Sequence, residues 1–487
     1  MIKQANQYLQ QGQFTLAENH YRQLLQKNAN DIDALWGLGK VALAVDSYQQ
    51  AYNIFHKCIT LRADIYVLWL SFAQACEKLA QIEEAEVALK QAHTLAGENL
   101  AVLLPLAIFY CQSGEYDQAK NYLAKIDAIS PMQVQAFCLK ARIALITEFE
   151  ETAQVLLSQL SGNSHNFSWQ ESVSLHYAFA SLYQNQKNYE QAFKHFCEAN
   201  KLQLAKTSFS VDDMKGYFQQ LESTFDSAYF AQITSRSDKL VKNSKLTPIF
   251  IVGQPRSGST LLEQLLIGHS DIASGGELPF MAGDIAQGIF QITGQHFPQG
   301  AAILSKPEYA QQRQGLADHY LTKLQPLAPN APYIIDKMPA NYQSIALIKL
   351  LMPQAKIIHI TRDVMDVSWS IYSNQFESLE PYFCSLSEIG KYHHAYQKVM
   401  SHWQLNIPEF IHTLSYSDLV SAPEQTITAV LNFCGLNYQS NCLEINQQAQ
   451  HINTLSDVQL RSGIVQNRAK KWQPYQQYLS ALFEALT

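Results

Sequence analysis

Three observations predict an α + α/β chain, in which a helical solenoid precedes an α/β domain with a parallel sheet. Small residues recur at a fixed spacing through residues 1–204. At residue 248 this pattern gives way to a short β-branched run, a glycine-containing loop and the start of a helix. From there onward strand-like and helix-like segments alternate, and each strand-like segment ends in a charged or aromatic residue.

The repeat comes first. Ala17, Ala51, Ala85, Ala119 and Ala153 lie 34 residues apart, and a sixth copy centres on Ala192 after a spacing of 39. Twelve residues before each stands another small residue: Ala5, Gly39, Ala73, Ala107, Ala141 and Ala180. Four residues after each stands a large apolar one, from Tyr21 and Phe55 to Phe196. This is the pattern of a helix pair. The first small residue lets the second helix approach, the next lets the following pair stack, and the large side chains fill the space between. Period and pattern resemble the tetratricopeptide repeat. Residues 1–204 are therefore expected to form a repeat domain whose concave face suits an acceptor peptide or protein. Residues 205–246 carry scattered aromatics, among them Phe209, Tyr217, Phe218 and Phe225, without Pro or Gly runs, and read as a helical connector.

The composition, 47% hydrophobic and 16% charged, suits packed cores. The net charge of −7 argues against a broad nucleic-acid-binding surface, while a small anion needs only a local basic cluster. The N-terminus has no apolar core like a signal peptide's, and no apolar run is long enough to span a bilayer. The eight cysteines are scattered, with no Cys-x-x-Cys pair. Reduced thiols in a cytoplasmic protein are the expectation.

The chemistry lies in residues 247–487. Pro248-Ile249-Phe250-Ile251-Val252-Gly253 reads as a buried parallel strand, Gln254 to Thr260 as a loop, and Leu261 onward as a helix. Strand, loop and helix N-terminus make an anion site of unpaired N–H groups and a favourable dipole. Ser257, Ser259 and Thr260 add hydroxyls around Gly258, and Arg256 adds a charged fork of donors. The loop is P-loop-like, but Ser259 stands where a nucleoside-triphosphate motif has lysine. Further strands are expected at Tyr333–Asp336, Lys356–Thr361 and Ile411–Ser415, with helices at Ser344–Leu351, Val364–Tyr372 and Glu388–Trp403. Such alternation implies a parallel sheet with helices on both faces, and ligands of such sheets bind beyond the carboxyl ends of the strands. Arg256, Lys337, Arg362 and Tyr416 all fall there.

These residues resemble the sulfotransferase superfamily, most closely the bacterial tetratricopeptide-repeat sulfotransferases and more distantly the tyrosylprotein branch. The resemblance implies 3′-phosphoadenosine 5′-phosphosulfate (PAPS) as co-substrate and no metal. It implies that Arg256, Ser257, Gly258, Ser259 and Thr260 form the 5′-phosphosulfate loop, and that Arg362 and Ser370 hold the 3′-phosphate. Lys337, in Asp336-Lys337-Met338-Pro339, matches a catalytic lysine, and Glu277, after Gly275-Gly276, matches the catalytic base. Ser456, Gln459, Lys471 and Trp472 keep the spacing of a PAPS-covering loop. Tyr416 is a candidate to stack on the adenine. The tyrosylprotein branch has a second arginine near the 3′-phosphate where this chain has Asn374, which tells against a protein-tyrosine acceptor.

The bare chemistry agrees. A guanidinium can grip the 3′-phosphate bidentately, with a serine hydroxyl two helical turns away. Sulfuryl transfer needs in-line approach, a cation at the leaving oxygen and a base for the acceptor's hydroxyl or amine proton. Three other readings remain at this stage: a P-loop kinase or NTPase, a non-catalytic repeat scaffold with a degenerate nucleotide domain, and, as a weaker version of the latter, a non-enzymatic nucleotide sensor. His269 and His359 read as structural, and no metal-binding spacing is present.

Overall fold

A computed structural model describes residues 1–45, 47–79, 81–131, 133–146, 167–206, 211–234, 246–376, 380–444 and 470–487. Two compact units divide the chain, Met1–Ala178 and Phe179–Thr487, and the division falls inside the Trp169–Asn185 helix.

The first unit is a run of helical hairpins: Ile2–Gln10 with Phe14–Lys27, Ile32–Ala44 with Tyr48–Leu61, Tyr66–Lys78 with Ile82–Ala96, and Leu100–Gln112 with Tyr116–Ile129. Val134–Ile146 begins a fifth, whose Ala153 and Leu157 lie outside the described residues. Ala5, Ala73 and Ala107 on first helices, and Ala17, Ala51, Ala85 and Ala119 on second helices, are all buried. The spacing reflects close packing: a Cβ added to Gly39 would lie 2.3 Å from the Phe55 ring. Local signals set the helix starts. Asp31 accepts a hydrogen bond from the Ala34 amide, and Asn99 from the Ala101 amide, as side-chain caps do.

The second unit holds a five-stranded parallel sheet. Its strands are β1 (Thr247–Gly253), β2 (Ile272–Ser274), β3 (Tyr333–Asp336), β4 (Lys356–Thr361) and β5 (Ile411–Ser415), in the order β2-β3-β1-β4-β5. The four expected strands are present. The short edge strand β2 was not expected, because three residues carry no readable alternation. Both faces are covered, which is why β1 and β4 are nearly continuous apolar runs. Ile249 and Ile251 pack in one core with Leu262 and Leu265 of the Ser259–Leu266 helix and Val430 of the Pro423–Cys434 helix. Phe250 points the other way and stacks on Tyr320 of the Ala310–Leu324 helix at 5.8 Å. Gly253 pairs with Ile360, and Phe250 with Asp336, so the carboxyl ends of β1, β3 and β4 share one edge.

The second helix of the sixth repeat, Tyr189–Leu204, lies in this same unit. It packs on the Val364–Tyr372 helix, with Phe196 edge-on to Trp369 at 5.5 Å. Asn200, buried, donates through Nδ2 to the Tyr372 carbonyl at 2.9 Å. That carbonyl belongs to the last turn of its helix, where no intrahelical donor is available.

Replacing Asn200 by Ala should therefore destabilise the second unit by about 0.5–1.5 kcal/mol, the net worth of a buried hydrogen bond. A urea titration followed through the second unit's unfolding transition measures it, and an unchanged midpoint would contradict the assignment.

Candidate active site

The loop after β1 turns on two residues with positive φ, Arg256 at 68° and Gly258 at 105°. Gly258 has a steric reason to lack a side chain. A Cβ there would sit 2.3 Å from Cδ2 of Tyr416, whose ring packs on the loop. Ser257, Ser259 and Thr260 are buried around it, and the Ser257 hydroxyl has no hydrogen-bond partner among the described residues. A buried hydroxyl without a partner costs free energy and fits a site whose ligand supplies one.

On the β4 side of this loop, four predicted residues meet. Arg256 Nε donates to Ser370 Oγ at 2.9 Å, and Arg362 Nη1 donates to the Arg256 carbonyl at 3.3 Å. The Arg362 guanidinium lies 4.4 Å from the centre of the Tyr416 ring, and its Nε is 4.0 Å from Asp366 Oδ2. The like charges of Arg256 and Arg362 repel. Burial first and the Arg362 charge second push the Arg256 side chain down to about 10. An anion placed between them would relieve both effects. Asp363 caps the Val364–Tyr372 helix by accepting from the Asp366 amide, which fixes the face that presents Ser370. Asn374 donates to the Ser370 carbonyl at 2.8 Å and so braces the same helix end.

On the β3 side, Lys337 is only 2% exposed. Its Nζ donates to Glu277 Oε1 at 2.5 Å and lies 3.9 Å from Glu263 Oε2. The sequence offers Lys337 and Glu277 as separate candidates, and the structure brings them together and adds Glu263, which sequence reasoning missed. The available signal was a glutamate inside the apolar run Leu261-Leu262-Glu263-Gln264-Leu265-Leu266. Burial raises the Glu263 carboxyl, while Lys337 and the 2.6 Å bond from Ser274 Oγ act against that rise. Glu277, half-exposed, stands on a constrained turn. Gly276 has φ 71°, its amide donates to Ser274 Oγ, and its carbonyl accepts from the Lys337 amide.

Asp336 precedes Lys337 at the end of β3. It is wholly buried, accepts from Tyr320 at 2.6 Å and from the Met338 amide at 3.1 Å, and so ties the strand end to the turn beyond Lys337. Burial pushes its carboxyl up to about 7.

The remaining candidates are placed as follows. His359 hydrogen-bonds to Tyr396 at 2.5 Å through Nε2 and to Thr413 at 3.3 Å through Nδ1. His393 contacts Gln254 at 2.7 Å. Burial lowers both imidazoles to about 4, so both rings are neutral at neutral pH. They line a cavity of about 440 Å³ that also touches Ser257 and Arg362. His269 bonds to the Asn437 carbonyl at 3.0 Å, a structural role. Lys471 is exposed, and the amide of its neighbour Lys470 donates to Asp366 Oδ1 at 2.6 Å, next to the arginine pair. Ser456 and Gln459 lie outside the described residues.

Chemically, the strand-end edge offers an anion cradle with two cations on one side and an ammonium–carboxylate pair on the other. Residues 248–440 match the model of the sulfotransferase family, and residues 77–143 and 173–206 match tetratricopeptide repeat models. An uncharacterized protein of Aquifex aeolicus (strain VF5) is 30% identical over 415 residues, covering 83% of this chain and 52% of that protein. The chain thus spans about half that relative's length. The sulfotransferase domain from the curacin biosynthetic pathway is 21% identical, covering 50% of this chain and 99% of that one, with a TM-score of 0.33. The sulfotransferase domain from the Synechococcus PCC 7002 olefin synthase is 23% identical, covering 47% and 89%, with a TM-score of 0.35. Among the described residues, no helix is long and apolar enough to cross a membrane.

The Asp336 carboxyl makes a signed pH prediction. Its folded value, about 7, lies above the value near 4 of an unfolded chain. Its contribution to stability is thus full below pH 4 and is lost as pH rises through about 7. Asp336→Asn keeps an acceptor for the Met338 amide and cannot ionise. The parent should lose stability relative to this variant between about pH 4 and pH 7, with no further change above. Paired denaturation curves across that range test it, and a constant difference would refute it.

Proposed function

We propose that this chain, in which tetratricopeptide repeats precede a domain of the sulfotransferase family, transfers a sulfuryl group from PAPS to a hydroxyl or amine acceptor. The observation that carries this reading is the meeting of Arg256, Arg362 and Ser370 beside the Gly258 cradle. A phosphate on the ribose 3′ position, apart from the group at the loop, is what distinguishes PAPS from ATP, and a second guanidinium is what would hold it. Ser259 in place of the lysine of a triphosphate loop disfavours the kinase reading.

In this reading the residues divide the work. The loop amides and the hydroxyls of Ser257, Ser259 and Thr260, with Arg256, hold the 5′-phosphosulfate. Arg362 and Ser370 hold the 3′-phosphate, and Tyr416 packs alongside. Lys471 belongs with Ser456 to the segment that covers the donor. PAPS supplies an activated sulfuryl group on a phosphate leaving group. Glu277 takes the acceptor's proton as the acceptor–sulfur bond forms and the sulfur–oxygen bond to the 5′-phosphate breaks. Protonation neutralises the Glu277 carboxylate, so its pull on the Lys337 ammonium at 2.5 Å falls away as negative charge grows on the leaving phosphate. Base and cation are thereby coupled through one contact. The repeats support a protein-binding role for residues 1–204, the extended surface of a solenoid being suited to it.

Two measurements test the reading. Adenosine 3′,5′-bisphosphate should bind more tightly than AMP by on the order of 1.5–3 kcal/mol, the worth of a charge-assisted bond to a buried phosphate. Arg362→Ala should erase that difference in calorimetry, and equal affinities in the parent would sink the 3′-phosphate assignment. Glu277→Gln should leave nucleotide binding almost unchanged while single-turnover transfer falls by roughly 10²–10⁴. Full-speed chemistry in a folded Glu277→Gln protein would remove Glu277 from the mechanism.

A further inference from the structure

A cleft of about 650 Å³ opens beside the reacting pair, within the second unit. Leu278 and Met338, the residues that follow Glu277 and Lys337, form its edge toward the reaction centre. Its walls are mainly apolar, with Met281, Ala286, Phe290, Phe297 and Leu347 among the lining residues. Phe290 is 43% exposed and stacks on His296 at 4.4 Å, a flat aromatic face open to solvent. The polar lining consists of Gln287, His296, Asn341, Gln343, Ser344 and the Tyr217 side chain with its hydroxyl. Among the described residues, none of those lining the cleft is Asp, Glu, Lys or Arg.

Resting on the sulfotransferase reading, we propose that this cleft receives the acceptor, and that the acceptor is an uncharged alcohol or phenol with a mainly apolar body. The volume is that of a small-molecule site. An acidic peptide segment would lose its hydration against walls that offer no counter-charge. A sugar would bring a ring of hydroxyls, each needing a partner, to a surface that is mostly carbon. An apolar ring system with one hydroxyl suits both halves of the site. Its body covers Met281, Ala286, Phe290 and Phe297, and its hydroxyl lies at the Leu278–Met338 edge, where Glu277 takes the proton. The cleft lies wholly in the second unit, so this acceptor needs no contribution from residues 1–178 to be held.

The probe is 2-naphthol, whose own fluorescence reports binding to the full chain, tested with and without adenosine 3′,5′-bisphosphate. Ala282→Trp and Ala286→Trp, one helical turn apart on the cleft wall, each place an indole in the space. Both variants should weaken naphthol binding at least tenfold while binding the nucleotide as the parent does, which shows that they are folded. With ³⁵S-labelled PAPS, the parent should label 2-naphthol in preference to lactose and to a tyrosine peptide flanked by acidic residues. Naphthol binding that ignores both tryptophans, or preferential labelling of lactose or of the acidic peptide, would overturn the proposal. The donor reading fails separately. Loss of naphthol binding in the tryptophan variants, in a parent that does not bind the nucleotide, would uphold an apolar cleft and refute PAPS as its partner.

Discussion

The edge of the sheet depends on how a buried ammonium is held. Removing the charge of Lys337 from water costs several kcal/mol unless opposite charge and hydrogen bonds replace the lost hydration. Glu277 and Glu263 provide that charge, and each needs its own support. Glu263 can remain in an apolar helix because Ser274, the last residue of β2, donates to it. Ser274 also accepts from the Gly276 amide, which shapes the turn carrying Glu277. The three-residue edge strand, the double-glycine turn and the helix after the anion loop are thus parts of one arrangement centred on Nζ of Lys337. Asp336 completes it from below by tying the end of β3 to Tyr320 and to the Met338 amide.

Across the sheet the electrostatics run the other way. The β3 side holds one cation among carboxylates, and the β4 side holds two guanidiniums, with Asp366 4.0 Å from one of them. The loop after β1 lies between, because β1 sits between β3 and β4 in the strand order. A ligand with negative charge at both ends and a transferable group near the ammonium matches this gradient better than one with a single cluster of charge. Chain order alone would scatter these groups, and the parallel topology gathers them.

Much of this was legible in the sequence, for identifiable reasons. The repeats could be read because close helix contact permits only small side chains, and Ala5, Ala73 and Ala107 are buried where the spacing put them. The strands β1, β3, β4 and β5 could be read because strands covered on both faces are apolar throughout. Arg256, Lys337, Arg362 and Tyr416 could be read because strand ends are few and charge there is conspicuous. Glu263 could not be paired from sequence, since its partner arrives through a strand far along the chain. β2 was too short to show a period. The neutrality of His359 and His393 comes from burial, which a residue type does not reveal. The Phe290–His296 face likewise exists only once the helix at Ala286–Thr293 is folded beside the turn that follows it.

The sixth repeat is not interchangeable with the others. Its second helix supplies Phe196 and Asn200 to the helix that presents Ser370, so repeat sequence buttresses one side of the candidate site. A chain that began after residue 204 would leave the Val364–Tyr372 helix without Phe196 against Trp369, and the Tyr372 carbonyl without Asn200.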